Sequence, residues 1–343
     1  MRILFLRPNV ALPELYAGTE LTLHWLCRSL IASGHEVVVV ATTFAENSPP
    51  SVHHECGYPV IRAWNGYAAA VHALREFQPD VLVASQAGAW LDQLPRSIRR
   101  APIVIYEQEA SVMVKDIPPD FKTRAVFLVN SPSTAAHVAR EYGVNGTIVR
   151  PLFGIHEYVG IKRSGDAVLF VSLQRRKGAD IAIRIAQSRP HVPFLFVESW
   201  TEDKGQTAQF REEAARLPNI TLLPNQQGLF HIMPKIKLHL MPSRSQEGWG
   251  RTATEAQICG IPVLASCRGN LPRTIGPGGM TLDPDDPFEY WLEKFDAIMN
   301  DAALYDDLSA KAAAHALGVV KEAKQAYDIF ERALNEAIAK ASP

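Results

Sequence analysis

The sequence predicts an α/β protein with two parallel-sheet domains, and three observations carry that expectation. First, residues 236–265 read as strand, loop, helix, strand. The apolar run Ile236 to Met241 leads into a polar loop with a Gly-Trp-Gly corner. A helix of about ten residues follows from near Arg251, and a second apolar run spans Ile261 to Ala265. Gly260 stands where a helix-terminating glycine belongs and Pro262 forbids further helix, so the unit is a right-handed crossover between parallel strands. Second, residues 2–41 open with the same strand, helix, strand order. Third, 343 residues are enough for two domains, and 47% apolar with 21% charged residues can fill two ordinary cores.

In chain order, Arg2 to Arg7 is a buried-strand pattern. Asn9 to Gly18 is a long loop ending in Ala17-Gly18-Thr19-Glu20, with Thr19 as helix N-cap. The helix puts Leu23, Leu26, Cys27, Leu30 and Ile31 on one face, Gly34 ends it, and Glu36 to Ala41 is the next strand. This opening lacks GxGxxG, which disfavours an NAD dehydrogenase. Residues 47–59, rich in Pro, Ser and His, read as a loop with a weak strand at its end; His53 and His54 have no second cluster at metal-ligand spacing. Tyr67 to Phe77 is a helix stopped before Pro79. Strands at Val81–Ala84, Ile103–Tyr106 and Val126–Val129 empty into Ser85-Gln86-Ala87-Gly88, Glu107-Gln108-Glu109 and Asn130-Ser131-Pro132, polar groups where open α/β sheets bind ligands. Pro132 to Tyr142 is a helix closed by Gly143, and Thr147 to Arg150 is a short strand.

The pattern then restarts. Strands are expected at Ala167–Ser172, Pro193–Val197, Ile220–Leu223 and Gly279–Leu282, with helices at Ala179–Gln187, within Thr201–Leu217, at Phe288–Asn300 and over Ala302–Ala339. The expected division is residues 1–152, 153–320, and a terminal helix at 321–343 that returns to the first domain, with a hinge near Pro151 to Gly165.

The crossover unit at 236–265 carries the chemistry. Glu247 lies in the loop before its helix and Glu255 about one turn inside, with seven residues between them. Gly248 and Gly250 let a ligand approach the backbone closely. The amides from Gly250 to Thr252 open the helix and carry partial positive charge. Bare amides flanked by two carboxylates suit a sugar nucleotide: the acids take sugar and ribose hydroxyls, and the amides take phosphate. The plainer alternative is a surface loop with one solvated glutamate and an ordinary helical one.

The stretch EGWGRTATEA, with Met241-Pro242-Ser243 before it and Gly260-Ile261-Pro262-Val263 after it, resembles the Glu, seven residues, Glu signature of the family-4 retaining glycosyltransferases. The resemblance implies a GT-B fold, two Rossmann-like domains facing across a cleft. It also implies transfer from a nucleotide-diphospho-sugar, with UDP favoured over GDP, to a hydroxyl with retained configuration. By the same resemblance Gly18 and Thr19 match the loop that reaches the donor phosphate. Lys177-Gly178 matches the diphosphate corner, whose usual arginine aligns with Ser172, so Arg175 or Arg176 stands in for it. Glu247 with Gly248, Trp249, Gly250, Arg251 and Thr252 holds sugar and phosphate, and Glu255 holds ribose. Relatives carry a histidine after the strand that matches Ile103 to Tyr106; here Glu107 is the candidate contact, and with Glu247 and Lys177 it is expected to be catalytic.

No cofactor and no metal are expected: Asp283-Pro284-Asp285 has Asp-x-Asp spacing, but with Asp286 it lies after the last strand among prolines and reads as a loop before a helix, not as the metal motif of other glycosyltransferases. Acceptors implied by the family are sugars, lipid-linked or small molecules, which keeps a peripheral membrane contact open. A donor-binding partner protein without transfer and an epimerase on the same fold remain alternatives. A net charge of −1 gives no reason to expect nucleic acid. Four cysteines without a CxxC pair read as reduced thiols, and no apolar run reaches about 18 residues. With no signal peptide ahead of the first strand, the expected location is cytoplasmic.

Overall fold

The computed structural model describes residues 1–86, 88–91, 100–109, 117, 119–201 and 203–341. Ala87, in the expected polar loop after Ser85, lies outside them. The chain divides into two units: Met1–Leu15, Thr19–Leu152 and Glu322–Pro343 form the first, and Tyr16–Gly18 with Phe153–Lys321 the second.

The first unit alternates β1 (Arg2–Val10), α1 (Gly18–Ala32), β2 (Glu36–Thr42), β3 (Ser51–His53), β4 (Val60–Arg62), α2 (Gly66–Phe77), β5 (Val81–Ser85) and α3 (Gly88–Leu91). It continues with β6 (Ile103–Glu107), α4 (Pro119–Arg124), β7 (Val126–Val129), α5 (Pro132–Tyr142) and β8 (Thr147–Ile148). Its sheet has the order β3-β4-β2-β1-β5-β6-β7-β8. Every pairing is parallel except β3 with β4. β1, β2, β5, β6 and β7 are almost wholly buried, as parallel strands covered on both faces must be.

The second unit runs α6 (Ile155–Tyr158), β9 (Ala167–Val171), α7 (Ala179–Ser188), β10 (Phe194–Val197), α8 (Lys204–Ala215), β11 (Ile220–Leu223) and β12 (Ile236–Met241). Then come α9 (Arg251–Ile258), β13 (Val263–Ser266), α10 (Leu271–Ile275), β14 (Gly279–Leu282), α11 (Phe288–Asn300) and α12 (Ala302–Lys321). Its all-parallel sheet has the order β11-β10-β9-β12-β13-β14. Phe170, Phe194, Phe196 and Phe295 pack into one core on one face, and Leu169, Ile236, Ala256 and Ile261 into another.

Local chemistry explains the boundaries. Ser131 caps α5 by accepting from the Thr134 amide at 3.1 Å, Pro132 opens it, and Gly143 closes it in the left-handed region. α9 ends with the Gly260 amide on the Gln257 carbonyl (2.8 Å) and the Ile261 amide on the Ala256 carbonyl (3.0 Å), the paired bonds of a Schellman motif.

Four expectations are corrected. β1 continues past Arg7 to Val10, which pairs with Thr42 after a register shift. Residues 47–59 contain β3 at the sheet edge, and β4 follows directly; three-residue strands are too short to show alternation. α1 begins at Gly18, so Thr19 is inside the first turn and is not the N-cap. The helical run from Ala302 breaks at Glu322, which pairs with Arg150, before α13 (Ala323–Ala341).

α13 packs on β5, β6 and β7 of the first unit. Its Phe330 is fully buried, stacked on Phe5 at 6.4 Å and edge-on to Tyr106 at 6.0 Å. Truncating a ring in such a core removes both transfer energy and packing. Phe330→Ala is expected to destabilise the protein by about 3–5 kcal/mol, read from the midpoint of denaturant unfolding.

Candidate functional site

The site in the second unit forms where the loops after β9 and β12 meet. After β9, residues Arg175–Lys177 make one 3₁₀ turn, and Gly178 follows in the left-handed region at φ 81°. The Arg176 carbonyl accepts from the amides of Arg244 (2.8 Å) and Ser245 (3.1 Å). A Cβ on Gly178 would stand 2.1 Å from the Pro242 carbonyl oxygen, so only glycine permits this approach. The two loops therefore lie backbone against backbone, and Lys177 Nζ reaches Glu247 Oε1 at 2.6 Å.

Glu247 is 8% exposed. Burial alone would raise its pKa. The Lys177 ammonium, the Ser243 hydroxyl (2.6 Å) and the nearby Arg176 outweigh burial and hold the carboxyl below its ordinary value. Both hydrogen bonds land on Oε1, which leaves Oε2 for another donor. Gly269 closes the loop from the other side: a Cβ there would lie 2.3 Å from the Glu247 carbonyl, and the Asn270 amide donates to that carbonyl at 2.8 Å.

α9 starts at this loop. Its N-cap Gly250 is left-handed and makes no side-chain cap; the Ala253 amide bonds the Gly250 carbonyl at 3.0 Å, and the helix geometry gives the amides ahead of it no acceptor inside the helix. Thr252 is fixed from below by His239, which is fully buried on β12. His239 Nδ1 lies 3.1 Å from the Leu169 carbonyl and therefore carries the proton, so Nε2 accepts from the Thr252 hydroxyl at 2.9 Å. Burial pulls the His239 pKa down to about 4. Glu255, 1% exposed, takes the Arg251 Nε on Oε1 at 2.7 Å. Its Oε2 is buried without a hydrogen bond, although the Tyr158 hydroxyl is near enough to favour the ionised form. Burial nonetheless raises the pKa of Glu255 despite Arg251. Arg251 also lies over the Phe153 ring at 4.3 Å. Gly18 belongs to this unit, with its Cβ position 3.7 Å from Arg251 Cβ.

Residues 157–315, nearly half the chain, match the model of glycosyl transferases group 1. The matched residues all lie in the second unit. Among similar proteins, D-inositol 3-phosphate glycosyltransferase of Mycobacterium marinum (strain ATCC BAA-535 / M) is 29% identical over 165 residues, 46% of this chain and 35% of its own length. The protein of the same description from Arthrobacter sp. (strain FB24) is 28% identical over 221 residues, 56% of this chain and 51% of its own. The chain thus spans about a third to a half of the length of these relatives. HepE of Anabaena, crystallised with UDP and glucose, superposes with a TM-score of 0.76 at 19% identity over 96% of this chain and 99% of that one. Sucrose-phosphate synthase from Thermosynechococcus elongatus gives 0.78 at 15% identity, with both chains fully covered. The fold is GT-B.

Within the matched residues, Lys177, Glu247, Gly248, Trp249, Gly250, Arg251, Thr252 and Glu255 lie on one β12–α9 junction and the turn tied to it. Trp249 is buried, its Nε1 donating to Thr254 Oγ1 at 3.0 Å. The two arginines separate: Arg176 faces Gln174 and Glu247, whereas Arg175 is exposed and held by its amide on Gln206. His239, Gly269 and Asn270 also support the site, as does Ser243, which the sequence showed only as part of the Met241-Pro242-Ser243 flank; the glycine between Arg268 and Asn270 was the visible signal for that loop.

In the first unit, the ends of β1, β5 and β6 gather a buried polar cluster. Arg7, 2% exposed, pairs with Glu20 and Gln86 and donates to Thr19 Oγ1 at 2.9 Å. The Thr19 hydroxyl also donates to Glu20 Oε2 at 2.9 Å, so its side chain is engaged inside this cluster. Glu107 is 2% exposed; burial pushes its carboxyl up to about 7, with Arg7 opposing and Glu109 adding to the rise. Asp283 and Asp285 are engaged by Arg268, and Asp285 also by Arg244. Among the described residues no group of three or more His, Cys, Asp or Glu could hold a metal, and no helix is long and apolar enough to cross a membrane.

Two outcomes follow from this geometry. Gly178→Ala forces a Cβ onto Pro242 at a left-handed backbone position, so a loss of about 1–3 kcal/mol is expected by thermal or chemical unfolding. His239 takes its proton near pH 4 when folded and near 6.5 when unfolded, so its contribution is complete above about 6.5 and falls as pH drops toward 4. The check is unfolding free energy against pH: His239→Gln should flatten that slope between pH 6.5 and 4.

Proposed function

We propose that the protein is a retaining glycosyltransferase that moves a sugar from a nucleotide-diphospho-sugar, with uridine as the favoured base, to an acceptor hydroxyl. The observation that carries this reading is the assembly at one sheet edge of a lysine-held carboxylate, outward helix amides and a buried carboxylate oxygen without a donor. Support comes from the group 1 match, from relatives described as D-inositol 3-phosphate glycosyltransferases, and from HepE, crystallised with UDP-glucose.

In this reading the first-turn amides of α9, with Gly18 beside them, cradle the diphosphate. Lys177 neutralises the charge that grows on the β-phosphate as the glycosidic bond breaks, which is where a fixed cation lowers a barrier most. Arg176 adds to that field. Glu247 Oε2 and the backbone at Gly248 and Trp249 orient the sugar hydroxyls. The Glu255 Oε2 atom gains its missing donor from a ribose hydroxyl, which converts an unfavourable buried acceptor into a hydrogen-bonded one. The departing phosphate takes the acceptor proton, so the chemistry needs no protein base and no divalent ion. Supporting metal independence, Asp283 and Asp285 are occupied by arginines.

The test is nucleoside diphosphate release from a panel of UDP- and GDP-sugars with sugar and polyol acceptors, with and without chelator. Transfer unaffected by chelator is expected. Donor binding without release would identify a binding protein, and interconversion of the nucleotide sugar an epimerase. Glu255→Ala should weaken donor binding about tenfold or more, and Lys177→Ala should lower kcat about 10²–10³-fold. Undiminished donor affinity in the Glu255 variant would remove the ribose assignment.

A further inference from the structure

Strand order sets out a line of chemistry along the carboxyl-terminal edge of the second sheet. β10 lies between β11 and β9, and β12 follows β9. Each step is about 4.8 Å. β9 releases the Lys177 turn and β12 the Glu247 loop. β10 releases Glu198, Ser199 and Trp200, and Trp200 is one of the large apolar side chains left exposed, at 38%.

The backbone at Trp200 is anchored to the neighbouring loop. The Trp200 carbonyl accepts from Gln174 Nε2, and Gln174 Oε1 accepts from Arg176 Nε at 3.0 Å. The Arg176 guanidinium stands 5.7 Å from the Trp200 ring centroid. An exposed aromatic ring thus stands next to a cation of the phosphate corner. One strand further out, the two amide side chains after Pro224 are already engaged. Asn225 donates to the Tyr16 carbonyl at 2.8 Å and accepts from the Tyr16 amide at 3.0 Å. Gln226 donates to the Pro224 carbonyl at 2.6 Å and meets His231 at 2.7 Å. Neither amide is poised to read the edge of a base.

We infer that Trp200 supplies the stacking face for the donor's nucleobase, with Arg176 at the junction of base and diphosphate. The inference rests on the donor reading above and adds the residue that receives the base. A nucleobase is planar and apolar on its faces, so an indole takes it without any hydrogen-bond code. The order Trp200, Arg176, Lys177, Glu247 then runs parallel to base, phosphate and sugar.

The experiment titrates UDP into the full chain and its Trp200→Ala and Trp200→Phe variants, with calorimetry for affinity and tryptophan fluorescence as the second readout. Trp200→Ala should bind UDP about tenfold more weakly, and Trp200→Phe within about twofold of the parent. UDP should quench part of the emission of the six tryptophans in the parent. That change should vanish in Trp200→Phe at saturating UDP. Equal UDP affinity in Trp200→Ala and parent, or an unchanged quench in saturated Trp200→Phe, would overturn the assignment of Trp200 alone. Failure of the parent to bind UDP would overturn the donor reading and this inference with it.

Discussion

The second unit's site depends on one ion pair, Lys177 with Glu247. A carboxylate that is 8% exposed is costly to leave unpaired, because its lost hydration must be replaced by fixed donors. Here the replacement comes from two donors on one oxygen, a hydroxyl 4 residues earlier in the same loop and an ammonium 70 residues away. The pair forms only because Gly178 lets the turn after β9 rest on the Pro242 backbone and Gly269 lets the loop after β13 rest on the Glu247 backbone. Three strand-end loops must therefore fold correctly for one carboxylate to be tolerated.

Around that pair the site is rigid where it supports and open where it binds. His239 stays neutral in the core and spends its second nitrogen on the Thr252 hydroxyl, which fixes the start of α9. Arg251 is clamped between Glu255 and Phe153. Such buried networks set geometry before a ligand arrives, so little reorganisation is left for the moment of reaction. Lys177 is the exception, its side chain 26% exposed, and it can turn its charge from carboxylate to phosphate with a small movement.

Much of this was legible in the residues. β12 spans the apolar run Ile236–Met241, α5 has the bounds that Pro132 and Gly143 announce, and β7 and β11 match their apolar runs. Those elements carry local signals: periodicity, caps and breakers. The β12–α9 junction was legible for the same reason, since two glycines and two glutamates at fixed spacing lie within one segment. What could not be read depends on tertiary partners. Thr19 looks like a cap in sequence, yet its hydroxyl is taken by Arg7 and Glu20. Arg175 and Arg176 look equivalent, yet the 3₁₀ turn sends one outward and the other toward Gln174. The break at Glu322 falls in a stretch where composition favours helix on both sides, so no residue marks it.

The first unit closes its core with Phe330 against Phe5 and Tyr106, and Phe330 is encoded after the whole of the second unit. On the ribosome, the second unit can complete its own core while the amino-terminal sheet still has an uncovered aromatic face. During that interval the early strands are the segment most in need of protection by a chaperone. A premature stop anywhere in the closing helix would yield a finished second lobe attached to an unfinished first one.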